Sequence, residues 1–413
     1  MNIYIILLLI SLAAGHPKRF QFNEKGEFTI LQITDLHFGE NEELDKKTMD
    51  VQRKLLEVVR PDIVVITGDA LSGNFWKTLG AKQGYFEENW KKWTQPFTEY
   101  ETYYAYLLGN HDSEADLTRR EIMQLDMTHP YSVSQLSEEG MSGASTYSIP
   151  VYSSINHSKA AANLWIFDSG SEGCDGVNEG YGCIEKDQVA WYNRESQKFK
   201  SEHGSNSHHL AFFHIPLPEY MELYNEHQFY GVKEEATGCS AVNTGLFSSV
   251  LKNGDISAIF VGHDHVNDYG GFLEGVELLY GRKTGYGSYG PGHGLMKGGR
   301  VIKLKEGYDK MGLYKVTRTH YIVNEDGTYD FNQTTQRRNE SKQMVCFSPS
   351  GFLEVDKKPQ PFTSTFPEDY ETEYATFSLS VTMMVFLGLA ILKRYLGKDV
   401  IHEMEIFTSS LEL

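Results

Sequence analysis

The sequence predicts a layered α/β fold, and three observations carry that prediction. Short apolar runs alternate with stretches of helical spacing from Phe28 to Asp112. The runs are bounded by turn signals, which marks them as strands. With 413 residues the chain can bury a large core, as one big α/β domain or two smaller ones.

Taken in order, Phe28 to Thr34 reads as a strand that delivers Asp35 and His37 at its carboxyl end. Helical spacing follows through Met49 to Val59 and closes at Arg60-Pro61. Ile63 to Thr67 is a second strand ending in Gly68-Asp69, and Tyr85 to Tyr100 reads as helix. Tyr103 to Leu108 is a third strand, stopping at Gly109-Asn110-His111-Asp112. From about Thr118 to Lys159 the chain is polar and irregular by pattern. Asn163 to Asp168 recovers a strand, and Gln188 to His203 looks helical. His209 to Phe213 is another strand, ending at His214; Pro216 and Pro218 then forbid a continuing helix. Ile259 to Val261 reads as the end of a buried strand, followed by a sharp turn at Gly262 and by His263 and His265. Alternate residues of an extended segment point the same way, so both imidazoles can reach one pocket. Between Glu277 and about Phe331, glycine-rich turns and short alternating runs suggest strands that close a second sheet. There is no internal repeat.

The two ends of the chain suggest an address. Residues 1–15 combine an apolar run with Ala13-Ala14-Gly15 and are expected to be a cleaved signal peptide. Residues 16–345 would form the main domain, and the proline-bearing, acidic residues 346–374 an extended stalk. Ala375 to Leu392 holds no charge and is followed at once by Lys393-Arg394. It is expected to be a single-pass transmembrane helix, with residues 393–413 as a cytoplasmic tail and the amino terminus outside or in a lumen. That is type I topology, at the plasma membrane or an endolysosomal one. Cysteine usage fits export: Cys174 and Cys183 flank a short glycine-rich loop, and Cys239 and Cys346 are left for a second disulfide. Asn156, Asn332 and Asn339 open glycosylation sequons.

Charge excludes one class of partner. Asp and Glu number 56 against 38 Lys and Arg, which argues against nucleic acid held through phosphates. A phosphate ester remains open, because bound metal ions supply positive charge locally. The strand ends collect Asp35, His37, Asp69, Asn110, His214, His263 and His265, where open α/β sheets place their ligand sites. Imidazole suits zinc, iron, manganese or nickel.

The stretches ILQITDLHFG, LLGNHDSE, FFHIPLPEY, FVGHDHVND and YGRKTGYGSYG resemble the calcineurin-like metallophosphoesterase superfamily, and more closely its small, single-domain purple acid phosphatase-like branch. The likeness covers roughly Phe28 to Ile322. It implies a two-sheet β-sandwich flanked by helices, with two divalent or di/trivalent metal ions (Fe, Mn or Zn) at the carboxyl edge. By that resemblance Asp35, His37, Asp69 and His265 would hold one metal, and Asp69, Asn110, His214 and His263 the other. His111 would contact the phosphoryl oxygens or protonate the leaving oxygen. Asp112 would orient His111, or cap a helix instead. Asp264 would fix a histidine ring.

The activity implied is hydrolysis of phosphate monoesters, of small molecules or phosphoproteins, by a hydroxide held between the metals. A sphingomyelinase-like phosphodiesterase is the second enzymatic reading, and a non-catalytic surface binding protein the third. Three departures stand out. The larger purple enzymes carry a tyrosine ligand three residues after the bridging aspartate, where this chain has Ser72; imidazole from His37 would replace it, so no purple band is expected. Small-branch relatives often place asparagine at Ala70 and histidine at Gly287. Arg282, Lys283 or His293 would then grip the substrate, or stand as exposed loop residues.

Overall fold

A computed structural model describes residues 18–204, 208–333, 342–343 and 345–346. Two sheets dominate it. The first has six strands, in the order β16-β15-β14-β2-β3-β4. Its parallel half is β2 (Glu27–Ile33), β3 (Ile63–Thr67) and β4 (Tyr104–Leu107). Its antiparallel half is β14 (Gly298–Tyr308), β15 (Tyr314–Asn324) and β16 (Tyr329–Asp330). The second sheet has eight strands, in the order β1-β5-β6-β9-β11-β13-β12-β10. They are β1 (Phe20–Gln21), β5 (Tyr147–Tyr152), β6 (Ala160–Ile166), β9 (His209–Phe212), β10 (Phe229–Val232), β11 (Ile256–Val261), β12 (Asp268–Leu273) and β13 (Val276–Tyr280). A separate hairpin pairs β7 (Glu172–Cys174) with β8 (Val177–Tyr181).

Strand periodicity explains how the layers stack. On β6, Leu164 and Ile166 join the core cluster shared with the six-stranded sheet, while Trp165 faces the other way with Phe167 beyond it. On β11, Phe260 points inward, and Ile259 and Val261 outward. The outward side chains bury under α5 (Lys186–His203), α6 (Glu219–Glu226) and α7 (Leu246–Asn253). The outer face of the six-stranded sheet is covered by α1 (Glu42–Val59) and α3 (Tyr85–Glu99) through Leu55, Phe86 and Trp93. A single turn, α2 (Phe75–Thr78), lies between them in the chain. Local chemistry sets the boundaries of α1. The Asn41 side chain accepts the Glu43 and Leu44 amides, three acids fill the first turn, and Arg60 leaves the helix at φ 49°.

Strands β2, β3, β4, β6, β9 and the end of β11 match the sequence reading to within a few residues, and two segments differ. Residues 118–159 are not irregular: they hold α4 (Arg119–Asp126) and β5. Thr118 and Glu121 form a reciprocal capping box, and the polar Asp126 is buried because Trp90, Tyr104 and Ser132 donate to it. The run from Glu277 to Phe331 is divided between the sheets: β13 lies between β11 and β12 in the eight-stranded sheet, and the long β14–β15 hairpin with β16 completes the six-stranded one. Both disulfides pair as expected, Cys174–Cys183 and Cys239–Cys346. The expected signal peptide, stalk, membrane helix and tail, and Asn339, lie outside the described residues, among which no helix is long and apolar enough to cross a membrane. Asn156 and Asn332 are exposed.

Candidate metal centre

Parallel strands present their carboxyl ends on one edge, and the two sheets meet there. Gln32 of β2 donates to the Val261 carbonyl at 3.0 Å, and Thr34 bridges to Lys283. Asp35 and His37 follow β2, Asp69 follows β3, Asn110 follows β4, His214 follows β9, and His263 and His265 follow β11. Tight turns are needed to bring all of them inward. Asp35, His37, Asp69 and His263 have φ of 54°, 51°, 50° and 78°, a left-handed conformation that costs a side-chain-bearing residue about 1–3 kcal/mol. Gly109 is required for close approach: a Cβ there would lie 2.1 Å from Asp69 Oδ1.

Two sets of buried donor atoms result. Asp35, His37, Asp69 and His265 offer atoms within 4.8 Å of one another, and so do Asp69, His214 and His263, with Asp69 common to both. Asn110 Oδ1 joins the second set, 3.1 Å from His214 Nε2. Contacts inside the sets bring lone-pair atoms together. His37 Nε2 lies 3.0 Å from His265 Nε2, and His263 Nδ1 lies 3.3 Å from His214 Nε2. About 3 Å is the edge of an octahedron with bonds of about 2.1 Å, so the spacing fits cations. His265 Nδ1 is also a buried polar atom with no partner.

Neighbouring groups fix which nitrogen faces the centre. Ser72 gives its hydroxyl proton to Glu40 at 2.7 Å and accepts from His37 Nδ1 at 2.8 Å, leaving the His37 Nε2 lone pair inward. The Thr67 carbonyl accepts from His214 Nδ1 at 2.8 Å, with the same result for His214. Asp35 is held by the Thr34 hydroxyl at 2.8 Å, and Asp69 Oδ1 by the His111 amide at 2.9 Å. Burial drives His37, His263 and His265 well below the usual histidine range, so these rings are neutral ligands in waiting. His214 behaves differently. Burial lowers its pKa, but the Asp69 carboxylate prevails and raises it to about 9.

Several expected roles need correction. Asp112 does not orient the His111 ring, nor does its side chain cap a helix. Its carboxylate accepts the amides of Asp69 (3.0 Å), Leu71 (3.0 Å) and Gly109 (2.7 Å), so it ties the β3 and β4 turns together. Glu114 holds His111 instead, Nδ1 to Oε2 at 2.7 Å. Spacing was the available signal, since i and i+3 meet on a single helical turn. Asp264 accepts from Gly238 and Tyr280 rather than fixing a histidine ring. Arg282 and Lys283 are not exposed loop residues: Arg282 is paired with Asp268, and Lys283 donates to the Asp35 carbonyl at 2.8 Å from a buried position. Burial lowers the Lys283 amine to about 7. His293 is exposed and pairs with Glu234. Gly287 has no room for a side chain, because a Cβ would lie 2.0 Å from the His37 carbonyl oxygen. Arg119 escaped notice in the sequence; it clamps the Leu108 and Gly109 carbonyls while paired with Asp168.

The calcineurin-like phosphoesterase family model matches residues 28–267, the span that contains every one of these donors. The chain belongs to the calcineurin-like phosphoesterase family. Among its relatives, an Arabidopsis thaliana protein named probable inactive purple acid phosphatase 28 is 33% identical, over 70% of this chain and 77% of that protein. Another, probable inactive purple acid phosphatase 29, is 29% identical over 74% of this chain and 85% of its own length. A solved dimetal phosphatase from Danio rerio is 14% identical with a TM-score of 0.46, covering 70% of this chain and 98% of that one. Metallophosphoesterases use two metal ions, and this chain has two donor sets for them.

Proposed function

We propose that this chain hydrolyses phosphate monoesters at a two-cation centre, with Asp35, His37, Asp69 and His265 on one ion and Asp69, Asn110, His214 and His263 on the other. The observation that carries this reading is the shared Asp69, which joins two complete, buried donor sets. When bound, cations there would supply positive charge facing a phosphoryl group and would make water nucleophilic near neutral pH. The chain's residues do the rest. Ser72, Thr67 and Thr34 hold the donors in fixed orientations, so little reorganisation accompanies reaction. To His111, partly exposed and held by Glu114, we assign contact with a phosphoryl oxygen or protonation of the leaving oxygen. The relatives' names say inactive, yet none of the seven donor residues is missing here.

The two disulfides suit an extracellular or lumenal domain. We place that domain on the far side of a membrane spanned by residues 375–392; release of the chain by alkaline carbonate would contradict it. The activity is tested with the full-length protein reconstituted with Mn, Zn or Fe, on p-nitrophenyl phosphate and its bis-ester. Chelator-sensitive turnover of the monoester is expected. Preference for the bis-ester would move the assignment to a phosphodiesterase, and no turnover with two bound metals would make the chain a binding protein.

A further inference from the structure

Two tyrosine rings stand on the metal centre without serving as donors. Tyr181 meets the His263 imidazole edge-on, with centroids 4.3 Å apart and planes at 89°. Tyr289 lies nearer to face-on against His265, at 4.4 Å and 36°. His263 and His265 belong to different donor sets, so one ring attends each. Both rings are fixed. Tyr181 ends β8, whose hairpin is closed by the Cys174–Cys183 disulfide, and Tyr289 donates its hydroxyl to Glu235 at 2.7 Å. Tyr289 is 46% exposed, so part of its side chain meets solvent beside His265.

Charge of both signs surrounds that face. Glu235 accepts from the Tyr289 hydroxyl and Glu114 backs His111. Lys233 donates to the Glu235 carbonyl, Lys297 to the Gly290 carbonyl next to Tyr289, and Lys283 to the Asp35 carbonyl. Charge therefore singles out no ligand, and a flat aromatic group on the ester would find ring faces beside both histidines. We propose that Tyr181 and Tyr289 form an aromatic clasp that selects monoesters of aromatic alcohols. This rests on the centre holding a phosphoryl group, as above.

Phosphonates test binding apart from turnover. Calorimetry on full-length, metal-replete protein should show phenylphosphonate binding about tenfold or more tighter than methylphosphonate. Tyr181→Ala and Tyr289→Ala should each reduce that ratio by roughly threefold to tenfold, and Tyr→Phe at either position should restore it. Thermal melts separate this from misfolding. Equal binding of the two phosphonates, or a ratio that survives the double alanine variant, overturns the clasp and leaves the phosphoryl site standing. Binding of neither overturns both.

Discussion

Two buried clusters of charge join the sheets of this molecule, and they are built in opposite ways. The first is the metal centre. The second surrounds Asp268, which takes Arg282 on one oxygen and Arg300 on the other, at 2.5 and 2.8 Å. Arg300 is fully buried and also donates to the Tyr280 carbonyl, to Gln333 and to His320 Nδ1. His320 can then donate only from Nε2, toward Glu277, which Arg318 meets at 2.6 Å. In this cluster both carboxylates meet guanidinium groups, although Arg318 Nε is buried without a partner. In the metal centre, imidazole nitrogens face one another and a carboxylate shared by both sets. Buried charge is tolerated only when paired. The contrast marks the second cluster as structural and the first as the candidate site for cations.

The sharpest break in that contrast is Asp69→Asn, which weakens both donor sets at once: bound metal and phosphatase activity should fall together to background, as read by elemental analysis and phosphate release. Next comes Asp268→Ala, which strands two buried guanidinium groups. It should cost about 3–5 kcal/mol in urea unfolding while the metal count of the folded fraction stays at two. Chelation should act on one cluster alone. Metal at a hundredfold excess over its dissociation constant adds about 2.7 kcal/mol per ion, and EDTA should remove that increment from wild type but not from Asp69→Asn.

A smaller effect concerns pH. Burial raises the Glu277 pKa, but His320, Arg318 and Tyr230 overcome it and bring it down to about 2, from 4.5. A depressed carboxylate contributes stability that is full above its unfolded pKa and is lost as pH falls through the folded one. Metal-free protein should therefore lose about 3 kcal/mol between pH 5 and pH 2 through this group. Glu277→Gln should flatten that part of the stability curve; an unchanged acid limb would contradict the pairing. Least disruptive is Ser72→Ala, which frees the His37 ring and should weaken metal affinity by about 10–100-fold with little change in fold stability.

The metal centre was more legible in the sequence than the arginine cluster, for a physical reason. Its donors sit at strand ends, where the change from apolar run to Asp, Asn or His can be read locally, and the resemblance then assigned them to two sets. The arginine cluster depends on register between distant strands: Arg300 on β14 reaches Asp268 on β12 only because β13 belongs to the eight-stranded sheet. That membership has no local signal, and Arg282 and Lys283 were misjudged as loop residues for the same reason. Left-handed backbone at Asp35, His37, Asp69 and His263 was hidden too, since composition offers no glycine there to announce it. The capping box at Thr118 and Glu121 was present in the sequence, but its helix buries Asp126 rather than a broad apolar stripe, and pattern alone passed it over.

The central claim is that one aspartate joins two cation sites. Anomalous scattering from a crystal of the metal-replete full-length chain tests it most directly. Two peaks about 3.5–4 Å apart flanking the Asp69 carboxylate, one beside His37 and His265 and one beside His214 and His263, are the predicted result. A single peak, or metals bound away from Asp69, would contradict it.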